Sequence, residues 1–77
     1  MRILKVFTSK NKACQELKAK LADLPVAMLL VDVDSNQEYT TLNFVSSVPT
    51  LKLFDNERLV RAHSGEISQQ ELQEFLK

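Results

Sequence analysis

The chain carries one thiol, Cys14, and one imidazole, His63. A cysteine at a helix start acts as a nucleophile when substrate reaches its thiolate, and a thiol-disulfide cycle needs a second cysteine or an external thiol to complete it. Cys14 lies in "VFTSKNKACQELKAKL", Val6 to Leu21: an apolar run, a short polar loop and an amphipathic stretch. Cys14, Leu17, Leu21 and Leu24 recur at helical spacing, so Cys14 falls on the apolar side of a helix that Pro25 brings to an end. On such a face a free cysteine reads first as a small, buried and inert apolar residue. Asn11, three residues earlier, reads as the helix N-cap. Lys10 and Lys12 lie near the positive end of the helix and outline, with Ser9, a weak anion site; two solvated lysines are the plainer reading.

The remaining candidates are sparse. Asp32 and Asp34 alternate at a strand end and read as caps or solvated loop residues, and no further ligand cluster accompanies them, so neither metal nor cofactor is expected. His63 lies far along the chain from Cys14 and reads as an exposed edge residue rather than as the base of a Cys/His pair.

The elements that must position these residues can be read from the same pattern. The chain has 77 residues, Gly65 as its sole glycine and only Pro25 and Pro49 as prolines, and reads as one domain over residues 1–77 without repeat or linker. "RILKVF", Arg2 to Phe7, predicts a strand. "VAMLLVDVD", Val26 to Asp34, begins as an unbroken apolar run, the signature of a strand covered on both faces and paired parallel to its neighbour, which predicts a right-handed βαβ unit. Asp34 and Ser35 then read as caps of a weaker helix through "NQEYTTLNFV", with Tyr39, Leu42 and Phe44 turned inward. "TLKLF" (Thr50 to Phe54) and "RLVRAHS" (Arg58 to Ser64) flank the turn-forming "DNE" and predict an antiparallel hairpin whose outer edge carries two arginines and His63. Ser68 and Glu71 have capping-box spacing, Ile67 and Leu72 can form a hydrophobic staple, and Leu72, Phe75 and Leu76 give the last helix its buried side. The result is an α/β fold, β-α-β-α-β-β-α, with helices on both faces of a mixed four-stranded sheet.

That element order, with "VSSVPTLKLF" before the hairpin and "SGEIS" after it, resembles the thioredoxin family in its small, glutaredoxin-sized form, over nearly the whole chain. The family works through Cys-x-x-Cys at the start of the first helix of this set. Leu17 and Leu21 match the apolar positions three and seven residues after the second cysteine, so the resemblance makes Cys14 the resolving position and puts Asn11 where the nucleophile would stand. It also implies that the loop after Phe7 is one residue short, that Val6 replaces a buried proton-relay Asp, and that no Trp precedes the motif. The active site is thus degenerate, Asn11-x-x-Cys14. The resemblance further implies a cis peptide bond before Pro49, in a loop facing the start of the first helix.

The expectation is a redox-inactive module with no catalytic residue, binding a protein or extended peptide through Ser9, Lys10, Asn11 and Lys12 together with the loop residues Ser47, Val48, Pro49 and Thr50. The alternative is a monothiol thioredoxin- or glutaredoxin-like redox protein that exchanges with glutathione or a partner thiol through Cys14; a third reading is a structural subunit of a larger assembly. Exposure of Cys14 separates the first two. Ten basic residues balance ten acidic ones and Trp is absent, which argues against nucleic acid or an anionic membrane as partner. A single cysteine and the lack of a targeting or spanning segment predict a cytoplasmic protein.

Overall fold

Alternation along a strand sends successive side chains to opposite faces of a sheet. In the computed structural model, which describes residues 1–77, this alternation sorts β1 (Arg2–Thr8) into a Leu4 and Val6 face and an Ile3, Lys5 and Phe7 face. The remaining elements follow as α1 (Lys12–Leu21), β2 (Ala27–Asp32), α2 (Gln37–Leu42), β3 (Thr50–Asp55), β4 (Arg58–Ser64) and α3 (Gln69–Phe75). The four strands lie in the order β2-β1-β3-β4, with β1 and β2 parallel and the other pairs antiparallel.

The core forms on the Leu4 and Val6 face, where Leu51 and Leu53 of β3 meet Leu17 and Leu21 of α1 and Ile67, Leu72 and Phe75 around α3. Burying each large apolar side chain contributes about 1.5–3 kcal/mol, so this face supplies most of the drive to fold. The opposite face carries only α2, whose Tyr39 stacks on Phe7 with ring centroids 6.2 Å apart. No helix is long and apolar enough to cross a membrane.

Local chemistry explains the ends of the elements. The turn Asp55–Glu57 puts Asn56 and Glu57 at φ 51° and 71°, the left-handed pair that matches the twist of a tight hairpin. Ile67 and Leu72 both enter the core on either side of the Ser68 cap, as the staple requires. Arg61 of β4 donates through Nη1 to the Phe75 carbonyl at 2.6 Å, placing a cation at the C-terminal end of α3.

Expectations for β2, α2 and His63 are corrected. β2 is shorter than Val26–Asp34 and is an edge strand: it pairs parallel with β1 but is not covered on both faces, and Leu29 and Leu30 remain 44% and 59% exposed. Asp34 and Ser35 do not cap α2. Its N-cap is Asn36, which makes no side-chain cap, and Asp32 organises the turn by accepting the Asp34 N–H at 3.0 Å and the Ser35 hydroxyl at 3.3 Å. Leu42 and Phe44 do not turn inward: Leu42 is the last residue of α2, and Phe44 lies past the helix end at φ 59°; they are 69% and 89% exposed. His63 is half-buried rather than an exposed edge residue: its ring lies edge-on to Phe75, 6.4 Å between centroids, and Nε2 is 3.1 Å from the Glu66 carbonyl.

The capping box of α3 carries a pH signature. The Ser68 N–H donates to Glu71 Oε1 at 3.0 Å and the Glu71 N–H donates to Ser68 Oγ at 3.1 Å. The hydrogen bonds from Ser68, backbone first and hydroxyl second, hold the Glu71 carboxyl below its ordinary value of 4.5. A carboxylate whose folded pKa is depressed stabilises the fold fully above its unfolded pKa and loses that contribution as pH falls through the folded value. Wild type is therefore expected to unfold at a higher temperature than Glu71→Gln at neutral pH, with the gap closing as pH drops below 4.5. A gap independent of pH in calorimetric scans would contradict it.

Candidate functional site

α1 begins with Asn11 in extended conformation, φ −76° and ψ 166°, its Oδ1 accepting the Cys14 N–H at 2.8 Å. An N-cap of this kind satisfies a helix donor that would otherwise be open, and Asn11 is therefore engaged in holding the helix. Ala, Leu, Lys, Gln and Glu fill most of α1, all good helix formers, and Lys18 and Lys20 sit in the last turn, where cations are favoured. The buried face is Cys14, Leu17 and Leu21; the stripe expected from the spacing also includes Leu24 and runs to Pro25, but α1 ends at Leu21 with Ala22 as its C-cap, and Leu24 lies past the helix, half-buried against the core.

Cys14 is fully buried, and its Sγ lies 3.3 Å from the Ser9 backbone N–H, which donates to it. The loop between β1 and α1 thus closes over the sulfur. Val6 is a fully buried member of the core. Neither Lys10 nor Lys12 turns toward the thiol: Lys10 is exposed, and Lys12, also exposed, lies 4.0 Å from Glu16 on its own helix.

The second part of the site is the segment before β3. The Val48–Pro49 peptide bond is cis. Thr50, buried at the start of β3, donates through Oγ1 to the Ser47 carbonyl at 2.6 Å and lies 3.3 Å from Ser64 Oγ. The Pro49 carbonyl accepts the Gly65 N–H at 2.9 Å. Gly65 has φ 90°, a conformation that side-chain-bearing residues rarely adopt, so glycine is needed to bring this amide round to the loop. Between these two anchors, the N–H and C=O of Val48 have no hydrogen-bond partner within the chain.

Pro49 lies at a cleft of about 390 Å³ whose walls are α1 and the approach to α3. Ala13, Leu17 and Lys20 line it from α1, and Ile67, Ser68 and Glu71 from the other side. Lys20 ties the walls together by donating from Nζ to the Ile67 carbonyl at 2.7 Å. The structure therefore brings Pro49 to the first turn of α1, while Ser9 and Asn11 support that turn and Lys10, Lys12 and Ser47 stand at the surface around it. Sequence reasoning missed the α1 wall. Its signal was present in the spacing of Ala13, Leu17 and Lys20, a helical face that shares Leu17 with the Cys14 stripe.

The arrangement has no chemistry of the dithiol kind available, because Asn11 carries no sulfur and Cys14 is the sole cysteine. What it does offer is a backbone segment with unpaired polar groups beside a cleft. In comparisons with known proteins, the family model described as Thioredoxin matches residues 8–77. A mutant thioredoxin from Halobacterium salinarum is similar at 26% identity and a TM-score of 0.87, over 96% of this chain and 70% of that one. The thioredoxin of Fasciola hepatica is similar at 25% identity and a TM-score of 0.82, over 97% and 77% of the two chains. Trxlp from Edwardsiella tarda, 24% identical, shares the fold at a TM-score of 0.90 over 97% and 81%. No curated protein matches the chain by sequence.

Proposed function

Because this chain belongs to the thioredoxin family, we propose that it keeps the family frame without the redox cycle and binds a protein or extended peptide at the cleft beside Pro49. The observation that carries the reading is the unpartnered N–H and C=O of Val48, next to a proline that lines that cleft. An extended peptide can pair with such groups through its own main chain, while cleft walls select its side chains. The burial of Cys14 and the use of Asn11 as a helix cap support a binding role over thiol exchange, since a thiol must be reached to react.

Two measurements test this. In an insulin-reduction assay with dithiothreitol, the protein is expected to give no turnover above the uncatalysed rate. Peptides selected from a random display library are expected to shift the amide resonances of Val48, Thr50 and Ala13, and Ala13→Trp, which fills the cleft mouth, is expected to weaken them at least about tenfold. Turnover of insulin, or selected peptides whose shifts fall outside the cleft, would overturn the reading.

A further inference from the structure

We propose that the sheet face opposite α1 and α3 docks an amphipathic helix of a partner protein, one whose apolar stripe is interleaved with carboxylates. Three rows of side chains cross that face. Val31, Phe7, Thr50 and Ser64 form the row at the end that α2 reaches, and Tyr39 covers Phe7 there. Leu29, Lys5, Lys52 and Ala62 form the next row, and Ala27, Ile3, Phe54 and Leu59 the last. The last row is apolar from edge to edge, yet Ala27 and Leu59 are exposed and Ile3 and Phe54 only half-buried. An apolar sheet face is ordinarily covered by a helix layer, as α1 and α3 cover the other side.

The middle row says what kind of helix fits. Lys5 and Lys52 are direct cross-strand partners, and like charges so placed repel. Lys5 Nζ lies 4.3 Å from the Phe54 ring centroid and 5.3 Å from that of Tyr39, and Lys52 Nζ donates to the Asn43 carbonyl. Neither ammonium meets a carboxylate; the three ion pairs of the chain lie elsewhere. Two half-buried cations at the centre of an apolar patch, with no anion of the chain's own, are complementary to an acidic partner. A second copy does not fit, because an isologous contact centred on this row would bring two Lys5–Lys52 pairs together with no anion between them. The surface is separate from the Pro49 cleft, whose walls belong to the opposite helix layer.

The test uses two synthetic helical peptides of about 18 residues, five turns long, with the same leucine stripe, interleaved with glutamate in one and lysine in the other. The glutamate peptide is expected to shift the amide resonances of Ile3, Leu29, Phe54 and Leu59, and the lysine peptide to leave them unmoved. The double variant Lys5→Gln, Lys52→Gln is expected to weaken the glutamate peptide about tenfold. Lys5→Glu with Lys52→Glu is expected to reverse the preference between peptides. Leu59→Ser, an exposed change on the outermost strand, is expected to remove binding while the thermal transition stays in place. Equal binding of both peptides, binding of neither, shifts confined to Ala13 and Val48, or a concentration-dependent dimer that Leu59→Asp abolishes would each overturn the proposal.

Discussion

Leu72→Ala is expected to lower the unfolding free energy by about 2–5 kcal/mol, the range for truncating a fully buried leucine. A domain of this length holds only about 4–12 kcal/mol in total at ordinary stabilities per residue, so the loss takes a large share of it. The position is severe because α3 has just two buried residues of its own, Leu72 and Phe75, and Leu72 also completes the staple with Ile67. Losing that anchor frees the wall that carries Ile67, Ser68 and Glu71 beside Pro49, so the cleft should fail together with the fold. Leu42→Ala and Phe44→Ala make the contrast: both side chains are mostly exposed, and each change is expected to stay within about 0.5 kcal/mol. Urea midpoints of the three variants at equal slope provide the measurement. A Leu72→Ala midpoint close to wild type would mean that α3 contributes little to the core.

Asn11→Cys is expected to turn an inert site into one that forms an intramolecular disulfide. The Asn11 side chain already reaches over the first turn of α1, within 2.8 Å of the Cys14 N–H, so a thiol introduced there starts close to Cys14 Sγ. With glutathione disulfide as oxidant, the two thiols give up two protons and two electrons, the oxidant leaves as two molecules of glutathione, and free-thiol titration of the purified, unfolded product falls to nothing. The substitution also removes a side-chain cap, a loss of about 1 kcal/mol in the reduced form. A variant that stays folded and keeps both thiols free under oxidising conditions would show that position 11 does not stand where the first cysteine of a Cys-x-x-Cys pair stands.

Features written in short-range chemistry were legible in the sequence. Asn11 reads as a cap because the stripe Cys14, Leu17, Leu21 starts three residues later, and Ser68 with Glu71 and Ile67 with Leu72 announce α3 by spacing alone. The hairpin follows from two apolar segments on either side of Asp55–Glu57. Features that depend on what lies above a surface were not legible. The run "AMLLVD" would look the same in a central strand as in the edge strand it forms, because side-chain type records what can be buried and not what comes to bury it. Leu42 and Phe44 carry the right chemistry for the core, but Leu42 is the last residue of α2 and Phe44 lies past it, beyond the point where the Asn43 side chain donates to the Tyr39 carbonyl and closes the helix. The cleft needed three dimensions as well. Lys20 reaches a carbonyl 47 residues away, a contact that no local pattern encodes.

The enclosure of Cys14 has a use apart from any biological role. Its sulfur lies under the Ser9 amide on the first turn of α1, and the chain has no other thiol to confuse a signal. A small alkylating reagent can reach it only when that turn lifts away from the sheet, so its labelling rate in native buffer is a stopwatch for this motion. Followed across denaturant concentration, the same rate separates local lifting, which is nearly insensitive to urea, from opening of the whole domain, which accelerates with it. Cys14 thus gives direct access to the breathing of the frame, residue-specific and without an engineered label.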